Sequence, residues 1–380
     1  MDSMLFNLIL LSCTNSDIQT SAPIGNQNDT TDQISLPLPQ NGYQLTTPIY
    51  EVPPYTEIEL CTIMKLEPKD TEKLIWVNEM ESLVTEHTHH MNVFMGEFSF
   101  LDAFLGDGAS ENALGFEVGQ YPCKEIGLME SAYTLFPSQR QNQKITLPDG
   151  VAAPLTAPLL LIFSHHFINT TDTPVPIEAV LNIETIESEE VMNVAGLIFN
   201  DIHELEIPPH TRQTIERTCI VERDVEVALV SSHNHQWGQC ATMNKYDGNS
   251  QLISDESFFV NKLWDRPPIL HFEPGSFSLS AGDGIHWACH YNNNTDNTLI
   301  NDGTAEGEMC ILAAVTYPST WSVPEVEEAV LGDDITSLFN LLHDVMGPCD
   351  TVVENRQILE NETDGLSCDE LPQTESNVLE

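Results

Sequence analysis

The chain has 380 residues, of which 59 are acidic and 13 are basic, so its formal net charge is −46. A charge this negative repels nucleic-acid phosphates and anionic lipid head groups, which excludes both as binding partners. The length favours two domains over one. No apolar run reaches the roughly 20 residues that a membrane-spanning helix needs.

The N-terminus carries a short apolar stretch that ends in Leu10-Leu11-Ser12-Cys13. It resembles the end of a bacterial lipoprotein signal, with Cys13 as the lipidated residue. Basic residues are missing ahead of the stretch, so a plain signal peptide or a chance apolar start is the alternative. We expect residues 1–13 to be this signal and polar residues 14–45 to be a disordered tether. The protein would then be extracytoplasmic, either periplasmic or a cell-surface lipoprotein of a bacterium, touching the membrane only through this lipid anchor.

From Thr56 onward, short apolar runs alternate with Gly-, Pro- and Asp-containing turns. This texture predicts an all-β chain of two tandem, jelly-roll-like antiparallel β-sandwich domains. An acidic stretch near 185–190 divides it, giving an N-terminal domain at 46–187 and a C-terminal domain at 188–349. One helix is predicted from Val323 to Leu331, with a possible extension to His343. Residues 350–380 read as a loose acidic tail, and no convincing internal repeat is visible.

Three histidine clusters stand out. The first is His87-Thr88-His89-His90-Met91, ahead of an apolar run. Successive side chains of a strand point to opposite faces, so neighbouring imidazoles reach one metal only from a strand end or a bulge. His87 is either a third ligand or a bystander.

The second cluster, His165-His166, ends an apolar strand, and either histidine could be a ligand or an exposed rim residue. The third, His233-Asn234-His235, places two imidazoles on one face of a strand, where they can chelate one metal. Met309 alone is more typical of a core methionine. As a ligand beside imidazoles, its soft thioether would select copper, especially Cu(I).

The chain has nine cysteines, and eight remain once Cys13 is set aside. An even number in an exported chain usually forms disulfides. No CxxC pair is present, which argues against a thiolate zinc site or a thioredoxin-like redox site.

The ordered set of motifs, HHM, then a strand ending in His-aromatic, then HxH, then Gly-Glu-Met-Cys, resembles the copper type II ascorbate-dependent monooxygenases. Peptidylglycine α-hydroxylating monooxygenase and dopamine β-hydroxylase are the best-known members. The resemblance spans about residues 56 to 320. Each motif is short, but four of them in this order are far more specific than any one.

The resemblance implies two copper ions per chain, one in each domain, on either side of a solvent-filled cleft. An electron-transfer copper would be held by His89, His90 and His166, since His166-Phe167 fits the family's His-aromatic step better than His165. An oxygen-activating copper would be held by the catalytic residues His233, His235 and Met309. The chain would then hydroxylate a small organic substrate with O2 and a one-electron reductant such as ascorbate. The alternative is a non-catalytic, exported copper-binding protein of the same fold, for storage or delivery.

The resemblance also implies disulfides between Cys289 and Cys310 and between Cys61 and Cys123. A third would join Cys219 to Cys349, while the pairing of Cys240 and Cys368 stays open.

The chain departs from the family at several positions. Ser231 stands where the peptide-amidating enzyme has a substrate-binding arginine, and Ile311 and Ala313 replace an asparagine and a tyrosine. Met95-Gly96 stand where the animal enzymes have a cysteine. The identity of the substrate is therefore open, as is the oligomeric state.

Overall fold

The computed structural model describes residues 34–69, 73–86, 88–96, 99–126, 132–302, 307–332, 341, 351–354, 368 and 371–376. The strands up to residue 194 are β1 (Gly42–Thr46), β2 (Tyr50–Val52), β3 (Glu57–Leu66), β4 (Leu74–Val84), β5 (Thr88–Gly96), β6 (Gly119–Pro122), β7 (Ala132–Ser138), β8 (Asn142–Thr146), β9 (Val151–Thr156), β10 (Leu159–Ile168), β11 (Val175–Ile177), β12 (Ala179–Ile186) and β13 (Asn193–Val194). The short helices of this half are α1 (Asp102–Leu105), α2 (Ala109–Leu114) and α3 (Cys123–Ile126).

The second half contains the remaining strands and the longest described helix. They are β14 (Gly196–Asp201), β15 (Glu206–Ile207), β16 (Thr211–Ile220), β17 (Val225–His233), β18 (Gly238–Asp247), β19 (Leu252–Ile253), β20 (Phe259–Asn261), β21 (Leu270–His271), β22 (Ser278–Leu279), β23 (Gly284–Asn293), β24 (Leu299–Ile300), β25 (Ile311–Tyr317), α4 (Val323–Leu331) and β26 (Thr351–Glu354). Among the described residues, no helix is long and apolar enough to cross a membrane.

In each half two large sheets form a sandwich, and the described strands also include one two-stranded sheet per half, β2 with β11 and β15 with β24. In the first half, the order β1-β12-β4-β9-β13 faces the order β6-β3-β10-β5-β7, and in the second, β14-β25-β17-β21 faces β19-β18-β23-β16-β26. Among the described strands, every pairing is antiparallel except that of β13 with β9. The predicted all-β sandwich architecture is therefore confirmed. Described strands up to Val194 pair only with one another, as do those from Gly196 onward, so the sheets change over at Ala195.

Strand β10 shows why the sequence folds this way. Leu161 and Phe163 point into the core between the two sheets, while Leu160 and Ile162 pack on the opposite face beside the Cys61–Cys123 bridge. A strand covered on both faces reads as a continuous apolar run rather than an alternating one. That run ends at Ser164, where the first polar residues reach the rim of the sheet.

The two halves repeat one topology, which inspection of the sequence did not find. A Pro-Pro turn precedes β3 and again β16, with φ of 52° at Tyr55 and 55° at His210. The side-chain amide of Asn169 donates to the carbonyls of Val52 and Pro53 at 3.0 Å each. Asn293 makes the same two 3.0 Å bonds to Ile207 and Pro208. The halves are therefore tandem copies in which few side chains have stayed alike.

The halves are packed against each other. Leu147 and Val151 of the first half form a buried cluster with Leu229 and Tyr317 of the second. Helix α4 returns to the first half, since Val326 and Val330 lie in the core of that half, and this part of the interface is buried as well.

Helix α4 has the predicted bounds. Its start is fixed by a capping box: the Ser322 side chain accepts the backbone N–H of Glu325, and the Glu325 side chain accepts that of Ser322. The proposed extension to His343 lies outside the described residues apart from Leu341.

Two segments predicted to be loose are ordered where they are described. In the tether, the backbone N–H of Ile34 donates to Glu178 at 3.1 Å, and Asn182 donates to the carbonyl of Pro37 at 2.8 Å. In the tail, residues 351–354 pair with β16 as a strand. Their polar composition suggested disorder, but backbone groups and short polar side chains dock these segments without needing an apolar face.

Candidate metal centres

Three imidazoles meet at the rim of the sheet that contains β5 and β10. His89 and His90 come from β5 and His166 from β10, and one possible ligand nitrogen of each lies within 4.8 Å of the others. Their ring centroids are 5.1, 5.2 and 4.9 Å apart for the pairs 89–90, 89–166 and 90–166. Metal–nitrogen bonds of about 2.0–2.1 Å require nitrogens about 3.5 Å apart in a trigonal set. Small side-chain rotations would close this gap.

A β-bulge explains how neighbours in one strand reach the same side. His90 lies opposite His166, but the next pair joins Thr88 to Phe167. His89 is thus the extra residue of the bulge. By simple alternation it would follow Met91 into the core, whereas the bulge turns its ring toward His90.

Two imidazoles of the first cluster, those of His89 and His90, are held toward the neutral form. Burial lowers the pKa of His89 and lowers that of His90 further, and the charge of nearby His166 acts in the same direction. Neutral imidazole is the form that binds metals. His166 also contacts Glu57, with Nε2 to Oε1 at 2.8 Å. Such a partner orients a ligating ring and leaves Nδ1 for a metal.

The alternative ligand His165 points elsewhere. Its ring is buried and hydrogen-bonded to the hydroxyl of Thr88 at 2.8 Å, and burial, with the charge of His166, lowers its pKa to about 4. His165 is therefore a buried, hydrogen-bonded residue of the core, and its ring is turned away from the cluster. His87 lies outside the described residues.

The second cluster lies where β17 ends. His233 is the last residue of the strand and His235 lies in the following turn, with ring centroids 5.1 Å apart. Burial lowers the pKa of His233 to about 3, and the charges of His235 and His89 add to this. The Nδ1 of His235 is 3.0 Å from the carbonyl oxygen of Gly307. A carbonyl can only accept, so Nδ1 carries the proton and Nε2 is free for a metal.

Glu308 ties Met309 to this cluster, a role that sequence reasoning missed. Its fully buried carboxylate accepts the backbone N–H of Trp237 at 2.7 Å on one oxygen. The other oxygen accepts those of His235 at 2.8 Å and Met309 at 3.3 Å. The hydroxyl of Tyr291 donates to the Met309 carbonyl at 2.7 Å. The one sequence feature that pointed to this role was an isolated carboxylate between Gly307 and Met309, just before the apolar strand β25.

Residues of each half reach the cluster of the other. The indole of Trp264, in the second half, packs edge-on against His89 with centroids 5.5 Å apart. The amide nitrogen of Gln139, in the first half, is 3.5 Å from Nδ1 of His233. The charge of His233 also contributes to the lowered pKa of His90. The two clusters are therefore close enough to interact across the contact between the halves.

Three disulfides are formed among the described cysteines. The structure joins Cys61 to Cys123 and Cys289 to Cys310, the two pairings that the resemblance implies for the described cysteines. It also joins Cys240 to Cys368, the pairing left open by the sequence. Cys349 lies outside the described residues, so its predicted bridge to Cys219 stays a prediction. Three disulfides within the described part of the chain are typical of a protein that folds outside the reducing cytosol.

The donor atoms fit copper. The first cluster offers three imidazoles, and the second offers two, with the backbone of Met309 held by the same Glu308 carboxylate that holds His235. Imidazole nitrogen and thioether sulfur are the donors that suit copper, whereas calcium and magnesium prefer oxygen. At the position of the family's substrate-binding arginine, the hydroxyl of Ser231 donates to the carbonyl of Pro268 at 2.9 Å. That hydroxyl is thus engaged within the protein.

The site and the paired sandwiches define an all-β protein with two histidine clusters at the contact between its halves. No family model matches the chain, and no curated protein matches it. Among solved structures, a chain of the Sulfolobus turreted icosahedral virus is 10% identical, with a TM-score of 0.16; the match covers 73% of this chain and 60% of that one. The exported protein XepA of PBSX is 6% identical over 76% of this chain and 100% of its own, with a TM-score of 0.16. A putative secreted protein from Parabacteroides distasonis is 8% identical over 79% and 88%, with a TM-score of 0.13. Likenesses this weak carry no argument about function.

Proposed function

We propose that the protein is an extracytoplasmic, copper-dependent monooxygenase that hydroxylates a small organic substrate. The observation that carries the proposal is the convergence of motifs far apart in the sequence. His89, His90 and His166 form one cluster of possible metal ligands, and Met309 is tied by Glu308 to the segment of His235. The ordered motifs of the copper type II ascorbate-dependent monooxygenases support the same assignment.

Each cluster would hold one copper. His89, His90 and His166 would hold the first, and His233, His235 and Met309 the second. The bound ions would supply one-electron chemistry with O2 and a reductant such as ascorbate. The protein's own contribution is orientation: hydrogen bonds to the carbonyl of Gly307 and the carboxylate of Glu308 fix the His235 segment.

The thioether favours copper over zinc at the second cluster. Zinc has no preference for a thioether, whereas a thioether beside imidazoles stabilises Cu(I). The combination of an all-imidazole site and an imidazole–thioether site also suits two different roles. The first would pass electrons, and the second would hold the ion that meets O2 and the substrate.

The finer localisation belongs to this proposal. The disulfides support an oxidising compartment, and we propose a bacterial periplasmic or cell-surface lipoprotein anchored through Cys13. That cysteine lies outside the described residues. Mass spectrometry of the N-terminal peptide from membrane fractions would detect the diacylglycerol; an unmodified cysteine there would contradict the anchor.

Metal content and ascorbate-driven oxygen consumption test the proposal together. The purified protein should bind two copper ions per chain and consume oxygen when ascorbate and substrate-like small molecules are supplied. One copper or none would contradict the two-site arrangement. Two coppers without oxygen consumption across a broad set of substrates would favour the storage or delivery function instead.

A methionine pair gives a matched comparison. Met309→Ile should abolish oxygen-dependent turnover and leave copper at the first cluster, because it removes the thioether donor of the second cluster alone. Met192→Ile makes the same change at a side chain that is 70% exposed and remote in sequence from both clusters, and it should behave as wild type. Equal turnover in the two variants would refute the ligand role of Met309.

A further inference from the structure

The C-terminal segment docks against the loop that follows β20. The backbone N–H of Thr374 donates to the carbonyl of Val260 at 2.9 Å, and the Thr374 hydroxyl accepts the N–H of Val260 at 2.8 Å. Gln373 accepts the N–H of Lys262 at 2.6 Å, and Ser376 accepts that of Ile269 at 3.0 Å. Residues 371–376, which we call the strap, thus hold the loop on both sides of its tip.

A disulfide fixes the strap to the second sandwich. Cys368 precedes the strap and is bonded to Cys240 in β18. In the first half, His90 lies opposite His166 on paired strands, and in the second half Cys240 lies opposite His290 on the corresponding strands. The position that supplies a candidate ligand in the first copy therefore anchors the strap in the second copy.

The loop connects the two histidine clusters. Its base is pinned by buried Asn261, whose amide donates to the hydroxyl of Ser232, next to His233, at 3.1 Å. The oxygen of the same amide accepts the N–H of Leu263 at 2.8 Å, which shapes the turn into Trp264. At the tip, the Trp264 ring packs edge-on against His89 at 5.5 Å. An indole so placed restricts the rotation of the one imidazole that depends on a bulge for its direction.

We propose that Trp264 is a positioning residue for the three-histidine cluster and that the strap, through the Cys240–Cys368 bridge, holds it in place. The second half of the chain thereby controls the geometry of a metal centre whose ligands all belong to the first half. The inference rests on the proposed binding of copper by this cluster, but not on catalysis. Without the bridge, the strap would hold the loop less firmly, so Trp264 would restrict the rotation of His89 less.

The test measures copper at the first cluster in the full-length chain. A His235→Gln background confines loading to that cluster, and Cu(II) affinity and the electron paramagnetic resonance spectrum are recorded. Trp264→Leu should lower the affinity by about 10-fold or more, the range seen when groups that orient a ligand are removed, and should change the spectrum. Trp264→Phe, which keeps an aromatic edge against His89, should restore most of both.

The strap is tested in the same background. Replacing both Cys240 and Cys368 by serine should reproduce the effect of Trp264→Leu, and combining the changes should add little, because both act through one contact. Gln373→Leu, a milder change that keeps the bridge, should weaken binding in the same direction. Glu375→Ala alters an exposed strap residue without a described contact and should leave binding unchanged.

The outcomes separate the inference from the proposed function. A wild-type first cluster that binds no copper would overturn both. Copper bound with the same affinity and spectrum in the Trp264→Leu and double-serine variants would overturn the inference alone. Equal losses in Trp264→Phe and Trp264→Leu would also overturn it, since the aromatic edge would then have no part in positioning His89.

Discussion

The turn between His235 and Gly238 offers a sharp test of how the second cluster is built. Gly238 begins β18, and its N–H donates to the carbonyl of His235 at 3.1 Å. A Cβ added at this position would lie 1.8 Å from Nδ2 and 2.7 Å from Cγ of Asn234. Asn234 is 2% exposed and donates its amide to the carbonyl of His235 at 3.1 Å. Because it is buried, it cannot move aside into solvent.

Gly238→Ala should therefore displace Asn234 together with the residues on either side of it, His233 and His235. Overpacking a buried site costs about 1–3 kcal/mol, and losing the Asn234 hydrogen bond adds about 1 kcal/mol. The free energy of unfolding should fall by about 2–4 kcal/mol in denaturant titrations. Copper affinity at the second cluster should fall by about 10-fold or more, while the first cluster should keep its copper.

Gly196→Ala is the matched control. Gly196 also begins a strand, but an added Cβ would meet its nearest neighbour, the Cβ of Ser319, at an ordinary 3.4 Å. We expect a change of no more than about 1 kcal/mol in either direction. If the two variants unfold alike and both bind two coppers with wild-type affinity, the reasoning about the His235 turn is wrong.

The remaining predictions concern single side chains. His166→Gln should cost one copper per chain by metal analysis, whereas His165→Gln should keep both; loss in the second variant alone would reverse the ligand assignment. Because burial, with the charge of His166, lowers the pKa of His165 to about 4, its share of stability is present above its unfolded value of about 6.5 and lost as pH falls toward 4. In metal-free protein this share amounts to at most about 3 kcal/mol, so His165→Gln should flatten the pH dependence of unfolding between 6.5 and 4, and an unchanged slope would contradict it. Burial acts to raise the pKa of Asp102, but hydrogen bonds from Ser110 and Lys65 outweigh it and hold that pKa below its usual value. Asp102→Asn should destabilise the protein by about 1–3 kcal/mol near pH 7. The loss should be smaller below pH 3.8, because there the unfolded wild-type carboxyl is protonated and the ionised form stabilises the native state less. A loss that does not change with pH would show that the charge is not the cause.

Local sequence patterns were enough for the parts that depend on near neighbours. The apolar run of β10 and its polar end predicted a buried strand with His166 at its rim. The Pro and carboxylates around Val323 predicted the start of α4. In both cases the residue types that reveal the element lie within it or a few positions away, so the signal is local.

The candidate site was predictable in its parts but not in its assembly. Simple alternation along β5 would place His89 and His90 on opposite faces, and only the bulge beside His166 turns His89 toward His90. The role of Glu308 depends on backbone N–H groups about 70 residues earlier in the chain, with the His235 contact 73 positions away. The local sequence around Glu308 therefore gives no way to predict which N–H groups it binds.

The sequence by itself determined the strand texture, the positions of the imidazoles and the types of donor that favour copper, because these follow from residue type and near spacing. The tertiary structure alone decided that the halves are copies, that α4 packs on the first half, and that a polar tail docks beside Trp264. Copies can diverge in most side chains while keeping the few that shape a turn, as the matching amide bonds of Asn169 and Asn293 show. Docking through polar side chains and backbone groups leaves no apolar pattern in the sequence, so only the folded chain reveals it.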